Sequence, residues 1–168
     1  GESILITGAN FAALSWTVDV IVAFVVGFVG SVAMWAIYFN IGAERSSEHI
    51  ARSNDPGRLA RSGYTYLHIL IVAGIIVAAV GDELVLHRPA GHVEPATAWV
   101  VIGGPALYLA GNALFKRLSA PNLPFSHLVG LGLLVLTALV TSVVTPLVLS
   151  AMTTVILLIV AVWEWGSL

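Results

Sequence analysis

The sequence predicts an all-α fold, a polytopic transmembrane helix bundle. Three observations carry that prediction. Of 168 residues, 58% are hydrophobic and only 10% are charged, whereas a soluble domain is about a quarter charged. Five apolar runs are each about 20 residues long, the length that crosses a bilayer as a helix. The few basic residues gather in alternate connections, the pattern that orients a membrane protein. Residues 1–168 read as a single bundle rather than several domains.

Residues 1–14, GESILITGANFAAL, begin in mid-helical pattern and read as a truncated N-terminal helix. Without an initiator Met or a basic leader, they do not read as a signal peptide, and the chain is expected to be part of a longer one. Five spanning helices follow, at about 17–40, 64–86, 96–115, 125–145 and 147–165. Small residues recur every four on three of them: Ala23, Gly27 and Ser31 on the first, Gly74 and Ala78 on the second, Ala106 and Ala110 on the third. Such stripes let helix backbones approach closely in lipid. Pro105 removes a backbone donor and is expected to kink the third helix. Pro146 follows Thr145 directly, so the last two helices are expected to be antiparallel neighbours. Within 41–63, a short amphipathic helix is expected, ending at the turn signal Asn54-Asp55-Pro56-Gly57.

Charge sets the orientation. Arg45, Arg52, Arg58 and Arg61 lie in the first long connection, and Lys116 and Arg117 in the third; the second holds only Arg88. Basic residues favour the cytoplasmic side, so the first and third connections and the C-terminus are predicted to be cytoplasmic. Trp35, Tyr38, Trp163 and Trp165 suit that same interface.

Several classes are excluded. A net charge of −2 offers no basic field for nucleic acid. The sequence has no cysteine, which removes disulfides, thiolate nucleophiles and cysteine-based metal sites. Phosphate-loop, nucleophile-elbow, zinc-protease and dinucleotide fingerprints do not occur, so no catalytic set is recognisable. The spanning helices carry no lysine suited to a retinal Schiff base, and the residues name no cofactor.

Ionisable groups on membrane helices are functional candidates. Glu2, Asp19, His68, Asp82 and Glu83 are the candidates for binding an ion or proton. Glu2 would be the deepest acid if the truncated helix spans. Asp19, Asp82 and Glu83 are expected at similar depth near the outer interface, either hydrated there or coupled as a carboxylate site. His68, one turn inside the cytoplasmic end of its helix, fits an interhelical hydrogen bond, a proton relay or a ligand contact. It is fourteen residues from Asp82, about 21 Å along a helix. Glu83 and His87 share a face at i, i+4 and make only a weak metal candidate; no metal is otherwise expected.

The stretches GESILITGA (1–9), WAIYF (35–39), AER (43–45), DPGRLARSGYTYLHILIVAGIIVAAVGDE (55–83) and GGPALYLAGNALF (103–115) together resemble the bacterial low-temperature-requirement A (LtrA) family. The resemblance runs over essentially the whole chain, and its most specific part is D-x-x-R-x-A-R-x-x-Y-T-Y-x-H. It implies a longer polytopic protein of the bacterial inner membrane, of which this is the C-terminal half. Glu2 and Ser3 match its GES motif, Glu44 and Arg45 its AER motif. Asp55, Arg58, Tyr64, Tyr66 and His68 match the connection leading into the second spanning helix, which Asp82 and Glu83 close. Asn40 departs from the pattern, where many relatives are expected to carry an acid. The family name refers to growth in the cold, and the resemblance supplies no biochemical activity.

Three functions fit these residues. A proton- or cation-linked transporter or channel for a small solute would use the polar residues on apolar helices, with an acid binding the ion, Glu2 foremost for a midplane site, and His68 gating from the cytoplasmic side. A scaffold or accessory subunit of a larger membrane complex would use the small-residue stripes. A lipid enzyme would grip a headgroup phosphate with Arg45, Arg58 and Arg61, though the same arginines satisfy the orientation rule. Membrane lipid is the expected partner, with a homo-oligomer or larger complex open.

Overall fold

The computed structural model describes residues 2–39, 65–117 and 123–166, without the side chains of residues 2, 3 and 6. All regular structure among them is helical: α1 (Glu2–Ala13), α2 (Val18–Phe39), α3 (His68–His87), α4 (Pro95–Arg117), α5 (Phe125–Thr137) and α6 (Pro146–Gly166). Four helices are long and apolar enough to cross a membrane, at Val18–Phe39, Thr65–His87, Pro95–Arg117 and Pro146–Gly166. The protein is a multi-pass helical membrane protein.

The fourth apolar run, 125–145, differs from its expected extent. α5 ends at Thr137, continues as a 3-10 turn over Ala138–Val140, and then opens into a turn. The Thr137 hydroxyl donates to the Leu134 carbonyl at 2.7 Å and the Thr141 hydroxyl to the Ala138 carbonyl at 3.1 Å. Hydroxyls bonded back onto the preceding turn, and the β-branched run TSVVT, weaken the α-helix there. Sixteen residues at α and 3-10 rise span about 25 Å, a little less than a typical hydrocarbon core.

The tightest packing lies between α3 and α4. A methyl group on Gly74 would lie 2.5 Å from the Tyr108 backbone nitrogen, and one on Gly104 2.5 Å from the Ala78 nitrogen. One on Gly111 would lie 2.9 Å from the Ile71 side chain, and one on Gly81 3.3 Å from the Val101 Cα. The paired positions are thus 71 with 111, 74 with 108, 78 with 104 and 81 with 101. They advance by three, four and three residues in opposite directions, an antiparallel seam with the spacing of knobs-into-holes packing. Lipid gives apolar surface no reason to leave it, so close van der Waals contact between backbones is what joins these helices. The seam with α3 runs along the buried Gly104 and Gly111, while Ala106 and Ala110 are only partly buried and Ala106 packs against the neighbouring apolar cluster.

α6 packs against α2, α4 and α5, and its contact with α2 is more extensive than the expected one with its chain neighbour α5. α1 folds back on α2 through a Phe11–Phe24 stack at 4.5 Å and also touches α3. Two apolar clusters fill the bundle. One lies at the end where Val20, Val85, Val101 and Leu149 meet; the other includes Ile37, Ile71, Tyr108, Leu134 and Val160. All five tryptophans are exposed and fall into two belts. Trp16 and Trp99 stand at one end of the bundle, and Trp35, Trp163 and Trp165 at the other, as membrane interfaces favour.

The seam makes a paired prediction. Gly104→Ala should destabilise the folded protein by about 1–3 kcal/mol, because its methyl meets backbone that cannot move aside. Gly103→Ala, one residue away with nothing within 4 Å, should stabilise by about 0.5–1 kcal/mol through helix propensity. Denaturant unfolding in detergent, followed by circular dichroism, measures both.

Candidate functional site

Between the two apolar clusters lies a polar layer centred on Asp82. It lines a cavity of about 20 Å³ together with residues from α2, α4 and α6, room for about one water-sized body. The register of α3 puts Asp82 there. Gly81 turns toward α4, and Asp82, the next residue, reaches α2 over Gly27. A methyl on Gly27 would lie 2.9 Å from the Asp82 carboxyl carbon and 3.0 and 3.1 Å from its oxygens. The absent side chain at Gly27 is what admits the carboxylate. No ion pair to Asp82 is formed among the described residues.

The other walls bring oxygen. Ser31 of α2 and Ser150, Thr153 and Thr154 of α6 line the cavity, as do Val101 and Pro105 of α4. The Thr153 hydroxyl donates to the Ser150 carbonyl at 2.9 Å, and the Thr154 hydroxyl to the Val26 carbonyl at 3.3 Å, tying α6 to α2. α4 runs unbroken through Pro105, which has no N–H for the carbonyl of Val101 one turn back.

Asp82 therefore meets α2 at Gly27 rather than at Asp19. Asp19 is exposed in the first turn of α2, and Gly27 lies eight residues further along, about 12 Å. The two acids are not at one level, because α3 passes its carboxylate inward across α2. Glu83 is partly buried, and His87 places Nδ1 2.9 Å from the Glu83 backbone carbonyl rather than its carboxylate. Among the described residues no group of three His, Cys, Asp or Glu could hold a metal. Arg88 and Glu94 form an exposed ion pair at 2.7 Å in the α3–α4 connection.

His68 does not reach Asp82. Its Nε2 is 2.6 Å from the Tyr38 hydroxyl, and its ring meets Phe115 edge-on at 5.1 Å. A larger groove of about 520 Å³ runs between α2 and α3 from this pair, and it shares Ser31 and Met34 with the Asp82 cavity. Tyr66 is exposed. The Glu2 and Ser3 side chains, with Asn40, Glu44, Arg45, Asp55, Arg58, Arg61 and Tyr64, lie outside the described residues, as does the expected amphipathic helix in 41–63.

A second polar cluster, not anticipated from sequence, joins the ends of α4, α5 and α6. Glu164 accepts from Lys116 on one carboxylate oxygen and from the Ser126 hydroxyl on the other. Fully buried His127 places Nδ1 3.1 Å from the Ser126 hydroxyl and 3.4 Å from Glu164. Its Nε2 is the one buried side-chain polar atom without a partner among the described residues. The signal lay in two places: an acid in the last turn of α6, against the helix dipole, and a lysine at the end of α4.

These features define a multi-pass helical bundle with a carboxylate held in a polar layer inside it. Residues 1–162 match the family model described as Bacterial low temperature requirement A protein (LtrA), and the chain belongs to that family. It is 39% identical over 141 residues to Uncharacterized protein RA0937 of Rhizobium meliloti (strain 1021), covering 84% of this chain and 34% of that protein. The chain thus spans about a third of that relative's length. No solved structure matches it.

The two ion pairs should differ sharply in weight. Glu164→Ala should destabilise by about 3 kcal/mol, since the pair is largely buried, with side chains 13% and 14% exposed. Glu94→Ala should change stability by less than about 1 kcal/mol, its pair being solvated. Parallel unfolding curves in detergent compare them.

Proposed function

We propose that this chain forms the ion-handling part of a proton- or cation-linked transporter or channel for a small solute, with Asp82 as the group that takes the ion. The observation that carries this reading is the Asp82 carboxylate, seated over Gly27 in a cavity walled by hydroxyl groups from a neighbouring helix. An acid within a membrane bundle is expensive and is kept where it binds or relays charge. The groove that adjoins the cavity at Ser31 and Met34 leads toward Tyr38 and His68, which supports a route to the opposite end with His68 as its gate. Glu83 and Asp19 would belong to the outer approach, and Glu2 would be a further ion-binding acid.

In this reading the chain is one bundle in the bacterial cytoplasmic membrane, with its C-terminus in the cytoplasm. The six basic residues on one side against one on the other support that orientation. The second reading, a scaffold or accessory subunit of a larger membrane complex, draws on the small-residue stripes, since such positions let helices pack closely within a bundle or with a partner. Stoichiometric foreign subunits retained through mild detergent would favour it.

Full-length protein reconstituted in vesicles tests the transport reading. Asp82→Asn should reduce proton- or cation-linked flux to the level of empty vesicles while the protein still inserts. Gly27→Ala should lower flux by displacing the carboxylate, and Glu94→Gln, in the exposed pair with Arg88, should leave it unchanged. Undiminished flux in Asp82→Asn would remove Asp82 from the mechanism. For orientation, single cysteines replacing Glu94 and Arg117 are exposed to an impermeant thiol reagent in intact cells. The first should be labelled and the second protected.

A further inference from the structure

We infer that the Asp82 cavity is a site for one dehydrated alkali-metal cation. This rests on the reading above that Asp82 takes an ion, and it names the ion's class. Four properties of the cavity lead there.

The first is the direction of the hydroxyl groups. A threonine hydroxyl has one hydrogen and two lone pairs. Thr153 uses its hydrogen on the Ser150 carbonyl and Thr154 uses its hydrogen on the Val26 carbonyl. Toward anything in the cavity both can therefore offer only lone pairs. These two hydroxyls and the carboxylate present lone pairs only, and Ser31 and Ser150, whose hydroxyls can turn either way, can add two more; the carboxylate makes the set attract a cation.

The second is the kind of donor atom. The polar side chains lining the cavity are Asp82, Ser31, Ser150, Thr153 and Thr154, with no nitrogen or sulfur ligand apart from the thioether of Met34. Oxygen ligands suit hard cations, whereas most transition metals prefer imidazole or thiolate. Pro105 also leaves the Val101 carbonyl without its intrahelical donor, and both residues line the same space.

The third is size. About 20 Å³ accommodates one water-sized body. A fully hydrated ion or an organic solute exceeds that volume, so an ion that seats there exchanges water for protein oxygens. The fourth is charge. One carboxylate neutralises one positive charge, and a divalent ion would leave an uncompensated charge inside the bundle, where that is costly.

The test is equilibrium binding of radiolabelled Na⁺ to full-length protein in lipid nanodiscs, with Li⁺, K⁺ or choline as competitor. Wild type should bind Na⁺ saturably, displaced by an alkali-metal cation and not by choline. Asp82→Asn should abolish binding. Thr154→Val should weaken it about tenfold, as expected for one lost oxygen ligand, and Thr154→Ser, which keeps the hydroxyl, should restore it. The serine–valine pair keeps the test sharp even if Asp82→Asn folds poorly. Wild-type binding no stronger than to the Asp82→Asn protein, or equal competition by choline, overturns the inference. Na⁺ binding without flux in vesicles would uphold this site and remove the transport reading. Proton-linked flux without Na⁺ binding would do the reverse.

Discussion

The backbone contact between α3 and α4 is the constraint on which the rest of the bundle depends. Gly74 and Gly104 bring one helix onto the main chain of the other, and main chain cannot rotate out of the way as a side chain can. Once that register is fixed, other positions follow. Tyr108 lies fully buried against Gly74 and donates its hydroxyl to the Met34 carbonyl of α2. Asn112, one turn later, donates to the Tyr108 carbonyl at 3.1 Å. Val101 faces Gly81, which turns Asp82 away from α4 and toward α2. The position of the acid is thus a consequence of small residues on three helices, none of which carries charge.

An acid in such a place needs accommodation. A carboxylate between two apolar clusters loses its hydration, and nothing in lipid returns it. What surrounds Asp82 is not hydrocarbon but a layer of hydroxyls and glycine backbone. Gly27 gives it room, Gly30 admits Thr154 from α6, where a methyl would lie 3.0 Å from the threonine oxygen, and that threonine in turn bonds to Val26. The same small residues that let α2 meet α3 and α6 closely also keep apolar side chains out of the layer. Packing and polarity are therefore solved by the same positions. A larger residue at Gly27 or Gly30 would disturb both.

Much of this was legible in sequence, and the losses have physical reasons. Helix existence, the apolar spans and the Gly27 and Gly74–Ala78 contacts follow from composition and small-residue spacing. The α3 seam is not legible along α4 because alanines and glycines compete as small residues: Ala106 and Ala110 obey the four-residue spacing, yet at Gly104 even a methyl group would come within 2.5 Å of the Ala78 nitrogen. The meeting of Asp82 with Gly27 is not legible, because residue counts from helix ends do not fix the register between one helix and another. The end of α5 was overextended because hydropathy does not register threonine hydroxyls bonding back to the chain. The Lys116–Glu164 pair, 48 residues apart, is visible only once α4 and α6 are known to lie side by side.

α6 connects the two polar regions. Thr153 and Glu164 are eleven residues apart, about 16 Å along the axis and only about 20° apart around it. One face of the helix therefore carries a wall of the Asp82 cavity and, three turns later, the carboxylate that gathers Lys116, Ser126 and His127. Between them that face presents Ile156 and Val160, both buried. At its other end the backbone N–H of Leu147 donates to the Pro89 carbonyl at 3.1 Å, tying the start of α6 to the α3–α4 connection. A helix held at its start, at Thr154 and at Glu164 has little freedom to slide at one contact alone. A displacement of α6 at the cavity would be felt at the far cluster, because close-packed helices move as units rather than bending around a local strain. The two polar regions thus share one helix, tied at Leu147, Thr154 and Glu164.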